Sequence, residues 1–224
     1  RADDDVTASD MCAQAAKTLL QHTNASANDI GAIFFVSHSA DYLLPASAAI
    51  LQYKLGLPRT CVAMDMNAGC AGFVNALWMA ASLVESGACK KVLLLAGDTP
   101  GRFQPAANRV VGPIFGDAGT AALIEYSEMP SAMSFSFGTD GSKHEALIIP
   151  GGGSRIPYVD SEGADSPFNQ TVSDGKGNPW TLGRYCSIWM DPMGIFTFST
   201  SVVPPHIKEH LAFDGLESEN INRL

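Results

Sequence analysis

A chain of 224 residues with 46% apolar and only 17% charged side chains carries enough core-forming material for one large domain or two small ones, which excludes a disordered protein. A net charge of −9, with no basic run longer than Lys90-Lys91, argues against nucleic acid as a partner. The longest strongly apolar runs, around 30–36 and 92–96, are far too short to cross a bilayer, so no membrane partner is expected.

Thr7–His22 alternates apolar and polar residues at helical spacing, with Thr7 or Ser9 as its cap and the acidic Asp3-Asp4-Asp5 ahead of it. Asn24–Asn28 reads as a turn, and Ile30–Ser37 as a strand whose continuous apolar run implies cover on both faces. Pro45 starts a second helix to about Leu55, with Gly56 just beyond it. Cys61–Met66 is a further strand. From there the chain passes through Asn67-Ala68-Gly69 onto Cys70, which opens an apolar helix from Ala71 to Ser86 with Gly87 as its C-cap. Only Asn75, Ser82 and Glu85 interrupt its apolar surface, so this helix is expected to be buried on all sides. Val92–Ala96 is the next strand. The order α-β-α-β-α-β predicts an α/β fold with a largely parallel sheet and helices on its faces.

After Gly97 the texture changes. Pro100–Asn108 reads as a loop, Thr120–Tyr126 as a strand, and Ser131–Gly138 alternates like another. Gly151–Asn178 is long, rich in Gly, Ser, Pro and Asp, and without period. Met193–Val203 is apolar and leads through Pro204-Pro205 to a helix over Ile207–Phe213. The predicted division is 1–185 and 186–224, the second part reading as the opening of another α/β unit. Because the sequence starts at Arg1 and stops within that unit, truncation at both ends is expected, and targeting is not legible. Five cysteines (12, 61, 70, 89 and 186) with no C-x-x-C argue against a zinc site or a disulfide scaffold and for a reducing, cytoplasmic setting. The sequons at Asn24 and Asn169 are read as chance matches.

Cys70 is the candidate nucleophile. At a helix start it would meet unpaired backbone N–H groups and the positive end of the dipole, both of which favour thiolate. Gly69 and Gly72 let an acyl group approach the backbone. The competing reading is a buried, inert cysteine. A thiol nucleophile needs an acid/base partner, and none of the five histidines is a convincing one. His22 and His144 lie in polar turns, and His206 and His210 sit four apart on a charged helix face without a third metal ligand. His38 is the most interesting, because it ends a buried strand of an α/β sheet, where ligands tend to bind. Gly151-Gly152-Gly153 lacks the phosphate-loop pattern, Ala68 breaks a G-x-C-x-G elbow, and the carboxylates form no glycosidase pair. Arg109 suits a phosphate, although a solitary arginine there is also consistent with simple solvation.

Residues 67–73, Asn-Ala-Gly-Cys-Ala-Gly-Phe, closely resemble the active-site segment of β-ketoacyl-acyl carrier protein synthase III, of the thiolase superfamily. Four further blocks resemble the same family in the same order: Asp41–Ala49, Ser86–Asp98, Asn108-Arg109 with Phe115–Ala121, and Met190-Asp191 with Ile195–Phe198. The resemblance implies a thiolase-like α-β-α-β-α layered fold, here its N-terminal half plus the start of the C-terminal half, in a homodimer. It implies that Cys70 takes an acyl group from an acyl-coenzyme A as a thioester. The family condenses that group with malonyl-acyl carrier protein, releasing carbon dioxide, in fatty acid or related acyl-chain biosynthesis. By the same resemblance Arg109 lies near the nucleotide end of coenzyme A, Ile114 and Phe115 line the acyl pocket, and Leu44 reaches into the partner subunit's pocket. The Cys70 N–H would form half of an oxyanion hole. No permanently bound cofactor or metal is implied.

Departures are also visible. The family's catalytic histidine and asparagine, and the glycine-rich half of its oxyanion hole, are expected beyond Leu224; its first strand and a coenzyme A-contacting tryptophan and arginine are expected before Arg1. Val110 and Ala118 stand where glycine is usual, which suggests a variant subfamily with another acyl donor or an acyltransferase role. These 224 residues are therefore expected to hold half a site, with little or no condensing activity by themselves. A cysteine-dependent thioester or ester hydrolase, with His38 as base, and a non-catalytic paralogue are the alternatives. Acyl carrier proteins are acidic, so a chain of −9 needs a local basic patch, for which Lys90, Lys91, Arg102 and Arg109 are the sources.

Overall fold

The computed structural model describes residues 1–103, 112–129, 133–155, 171–173, 179–181, 188–217, 219 and 221. The chain forms two compact units, one of residues 1–102 and 115–132, the other of residues 103–114 and 133–224.

In the first unit, α1 (Ala8–Thr23) starts at a capping box. Thr7 Oγ1 accepts from the Asp10 N–H, while the Asp10 carboxylate accepts from the Thr7 N–H, so two donors without helical partners are satisfied at once. Asn24, the cap at the other end, takes the left-handed conformation (φ 50°) that Asn tolerates better than most residues. Strands β1 (Ile30–Val36), β2 (Val62–Met66), β3 (Lys91–Asp98) and β4 (Ala118–Glu125) form one sheet in the order β2-β1-β3-β4. The first three are parallel and β4 runs antiparallel to β3, with Asp98 opposite Ala118. Helices cover both faces. Ala8, Cys12, Ala13 and Ala16 of α1, with Ala48 and Leu51 of α2 (Ser47–Lys54), close over Ile33, Phe35, Leu93 and Leu95. Ala76, Ala80 and Val84 of α3 (Gly72–Glu85) close over Ala32, Phe34, Val92 and Leu94 on the other side. That two-sided cover is why β1 and the middle of β3 read as unbroken apolar runs.

Small residues let α1 come down onto backbone. A Cβ on Gly119 would lie 2.6 Å from the Cys12 nitrogen and 2.5 Å from Met11 Cβ, and one on Gly97 would lie 2.7 Å from Cys12 Sγ.

Several expectations are corrected. The helix after Cys70 begins at Gly72, with Cys70 in a 3-10 turn (Gly69–Ala71) ahead of it. It is not buried on all sides: Phe73, Val74 and Trp78 are exposed, because only the stripe Gly72, Ala76, Ala80 and Val84 meets the sheet. Pro45 lies ahead of α2, whose first residue is Ser47. β2 is an edge strand, and its Val62 and Met64 are exposed.

The second unit contains β5 (Leu147–Ile148) paired with β8 (Trp189–Met190), β6 (Thr171–Ser173) paired with β7 (Pro179–Thr181), and helices α4 (Pro192–Ser201) and α5 (Val203–Phe213). Two helices thus replace the predicted apolar segment and later helix: the Asp191 carboxylate caps α4, and Pro204 and Pro205 fit the first turn of α5, where their missing N–H groups cost nothing. Residues 133–140 form no strand. They run beside α5, where Ser134 Oγ meets His210 Nε2 at 3.2 Å and Ser136 Oγ meets His206 Nε2 at 3.0 Å. The two histidines are therefore half-buried and bonded, not a free surface pair.

Candidate active site

β1 and β2 are neighbours, and their carboxyl ends lead to opposite faces of the sheet. The chain leaving β1 goes to α2 on the face shared with α1, whereas the chain leaving β2 goes to α3 on the other face. The gap between such diverging connections is where α/β sheets characteristically bind ligands. Two residues singled out from the sequence flank it: His38, just past β1, and Cys70, just past β2.

Cys70 is exposed, whereas the other described cysteines are buried or half-buried. Burial pushes the Cys12 thiol up to about 11, and burial, with the neighbouring Cys89, does the same to Cys61. Those two groups are neutral thiols near pH 8. Cys70 thus stands out by access, and its position two residues ahead of α3 places it close to, but not within, the first turn of that helix.

Gly69 holds the turn. Its φ of +60° is left-handed, which glycine adopts without a Cβ penalty. A Cβ there would lie 3.0 Å from His38 Nε2 and 3.6 Å from His38 Cε1, so the imidazole sits against the residue preceding Cys70. Among the described residues the ring makes no hydrogen bond, including none to Cys70.

The backbone of His38 is fixed by Asp98, at the end of β3. One oxygen, Asp98 Oδ1, accepts from the His38 N–H at 2.7 Å, the Ser39 N–H at 3.1 Å, Ser39 Oγ at 3.0 Å and Ser37 Oγ at 3.1 Å. Ser39 Oγ in turn accepts from the Thr99 N–H at 3.0 Å. Ser37, Ser39 and Thr99 are all buried, so this polar knot is shielded from water and correspondingly firm. Asp65 plays a similar part on β2. Its two oxygens accept from the Ser47 and Ala48 N–H groups, both at 2.7 Å, and so cap α2, whose own N-cap Ala46 has no side chain able to do so.

Sequence reading passed over both aspartates. The signal available for each was a carboxylate at or near the end of an otherwise apolar strand, but the backbone each one holds lies 18 and 60 positions away in sequence, Ser47 for Asp65 and His38 for Asp98.

The remaining candidates are dispersed. Leu44 is exposed, next to exposed Leu43 and Tyr42; Ile114 is exposed and Phe115 half-buried. Arg109 and Val110 lie outside the described residues, as does Cys186. The basic patch is corrected. Lys90 and Lys91 stand at the amino end of β3, about 23 Å along the strand from the Cys70 end, and Lys91 is paired with Glu125. Arg102 donates to the carbonyls of Asp3, Asp4 and Val6, which ties down the amino-terminal segment. Among the described residues no group of three or more His, Cys, Asp or Glu side chains could hold a metal ion.

The α/β/α unit with one antiparallel strand, and an exposed cysteine at its switch point, is an architecture this chain shares with thiolase-like enzymes. A family profile described as 3-oxoacyl-[acyl-carrier-protein] synthase III matches residues 64–141, which include the Cys70 turn and β4. A Campylobacter jejuni protein provisionally named as a 3-oxoacyl-[acyl-carrier-protein] synthase 3 is 35% identical over 219 residues, covering 98% of this chain and 59% of that one. The β-ketoacyl-[acyl-carrier-protein] synthase III of Syntrophomonas wolfei is 32% identical, covering 99% of this chain and 61% of its own length. A crystal structure of a 3-oxoacyl-(acyl-carrier-protein) synthase III superposes with a TM-score of 0.83 at 34% identity, over 99% of this chain and 64% of that one. Over nearly its whole length the chain is similar to 3-oxoacyl-acyl carrier protein synthase III proteins, and it spans about three fifths of the length of these relatives.

Proposed function

We propose that the protein is an acyltransferase of the condensing type, and that Cys70 is its nucleophile. The observation that carries this is an exposed cysteine on a glycine turn at the switch point of the sheet, where an extended acyl thioester has access to sulfur. In the first step the Cys70 thiolate attacks the carbonyl carbon of an acyl-coenzyme A. A new S–C bond forms, the thioester bond to coenzyme A breaks, and coenzyme A leaves as a thiolate that takes up a proton. In the second step malonyl-acyl carrier protein loses carbon dioxide, the carbon so freed attacks the acyl carbonyl, a C–C bond forms, and the S–C bond breaks to return the Cys70 thiolate and a 3-oxoacyl product.

On this reading Arg109 meets the nucleotide end of coenzyme A, Ile114 and Phe115 line the acyl pocket, and Leu44 contacts a partner subunit. The exposure of Leu43 and Leu44, with that of Val62, Met64, Phe73, Val74 and Trp78, supports a homodimer, since water-facing apolar groups so numerous usually have a partner. The half-boundary stays at 186, and the setting is read as cytoplasmic; no described helix is long and apolar enough to cross a membrane. The hydrolase alternative loses its support from His38, whose ring makes no bond to the thiol.

Incubation of the full protein with acetyl-coenzyme A and an intact-mass measurement tests the central claim. The expected result is an acetyl adduct that disappears in Cys70→Ala. A wild-type protein that gains no mass from any of a series of acyl-coenzyme A donors overturns it.

A further inference from the structure

The turn before the nucleophile is closed by one backbone bond, from the Gly72 N–H to the Gly69 carbonyl, and is flanked by a single ring. On the face of Gly69 where a side chain would stand, the two His38 ring atoms are the only non-adjacent heavy atoms within 4 Å among the described residues. Glycine has more backbone freedom than any other residue, so a left-handed glycine beside a reacting cysteine needs an external wall to keep one conformation. The imidazole is that wall. Its own backbone is held by Asp98, which joins three consecutive residues, Ser37, His38 and Ser39, to the end of β3. A continuous path therefore runs from the centre of the sheet through Asp98 and His38 to Gly69 and Cys70.

We infer that His38 is a positioning residue: its ring confines the Gly69 turn and so fixes where the Cys70 sulfur stands. The effect on catalysis rests on Cys70 being the nucleophile, but the effect on the turn does not. Positioning of this kind acts on the reacting complex and not on substrate affinity, since small displacements of a nucleophile are costly once the substrate is bound. The residue is exposed and its ring makes no hydrogen bond among the described residues, so its removal is expected to cost the fold little.

The test pairs His38→Ala with His38→Phe, which restores a ring of similar reach without the nitrogens. Amide hydrogen exchange of a peptide spanning 67–73 is read first, because it needs no substrate. His38→Ala is expected to exchange there about tenfold faster than wild type, with the melting temperature unchanged, and His38→Phe to return most of the protection. The maximal rate of Cys70 acylation is expected to fall about tenfold in His38→Ala at an unchanged half-saturating donor concentration. Exchange at 67–73 that is the same in His38→Ala and wild type overturns the inference, as does a His38→Phe variant no better protected than His38→Ala. If the wild type accepts no acyl group, the proposed function fails, while the exchange measurement still decides the role of His38.

Discussion

The chemistry of the single thiol separates from that of its neighbours through access and solvation. Cys12, on the sheet-facing side of α1, is completely buried, and its thiol is pushed up to about 11 because an anion there would lie against apolar side chains. Cys61, half-buried in β2's approach, is raised in the same way. At pH 8 brief treatment of the native protein with iodoacetamide should therefore label Cys70 and leave Cys12 and Cys61 untouched, which peptide mapping reads directly. Labelling of Cys12 at a rate equal to that of Cys70 would show that α1 opens readily. The raised thiols also have a consequence for stability. Unfolded cysteines ionise near 9, whereas the folded ones hold their protons to about 11. The folded state thus binds more protons in that window, and stability falls as pH rises through it. Chemical denaturation midpoints should be flat from pH 7 to 8.5 and decline between roughly 9 and 11, and the decline should shrink in a Cys12→Ala variant.

At the level of elements, the site depends on contacts made by backbone. α1 sits on Gly97 and Gly119 so closely that a methyl group at position 119 would overlap backbone nitrogen, which no rotamer change can relieve. Gly119→Ala is expected to cost about 3 kcal/mol or more, measured by urea denaturation, and Gly97→Ala a similar amount. Thr7→Ala removes one arm of the capping box and should cost about 1 kcal/mol. Asp65→Ala is a sharper case. It strips the cap from α2 and leaves the Ser47 and Ala48 N–H groups without their carboxylate, so a loss of about 2 kcal/mol is expected, with Asp65→Asn recovering part of it. The Lys54–Asp10 pair between α2 and α1 is largely exposed and contributes at most about 1 kcal/mol.

For the whole molecule, surface distribution bears on function more than composition does. A chain of −9 that docks an acidic carrier protein needs cations at the mouth of its site, yet Lys90 and Lys91 lie at the wrong end of the sheet and Arg102 is occupied by the carbonyls of residues 3, 4 and 6. Charge reversal at Lys90 should therefore change carrier-protein affinity by less than twofold, as read by surface binding at low salt. The alternation of helices and strands, the two-sided cover of β1 and the place of Cys70 after the second strand were all legible in the sequence, whereas the order of the strands in the sheet was not. A parallel strand covered on both faces must be apolar throughout, and a helix beginning after a glycine pair must start where the pattern changes period. Five ordered blocks of family resemblance, more than local chemistry, are what single out Cys70 as the proposed nucleophile. What the tertiary structure alone decided were relations between residues distant in sequence. Asp98 and His38 each stand at a strand end in the sequence, but nothing there pairs them: 60 positions apart, they meet only because β1 and β3 are neighbours in the sheet. Likewise the apolar helix α3 keeps an exposed face, because a helix lying on a sheet presents one stripe to it whatever the rest of its surface carries. Hydrophobic period is a local property and survives in the sequence; hydrogen bonds between strand ends depend on which strands the sheet makes neighbours.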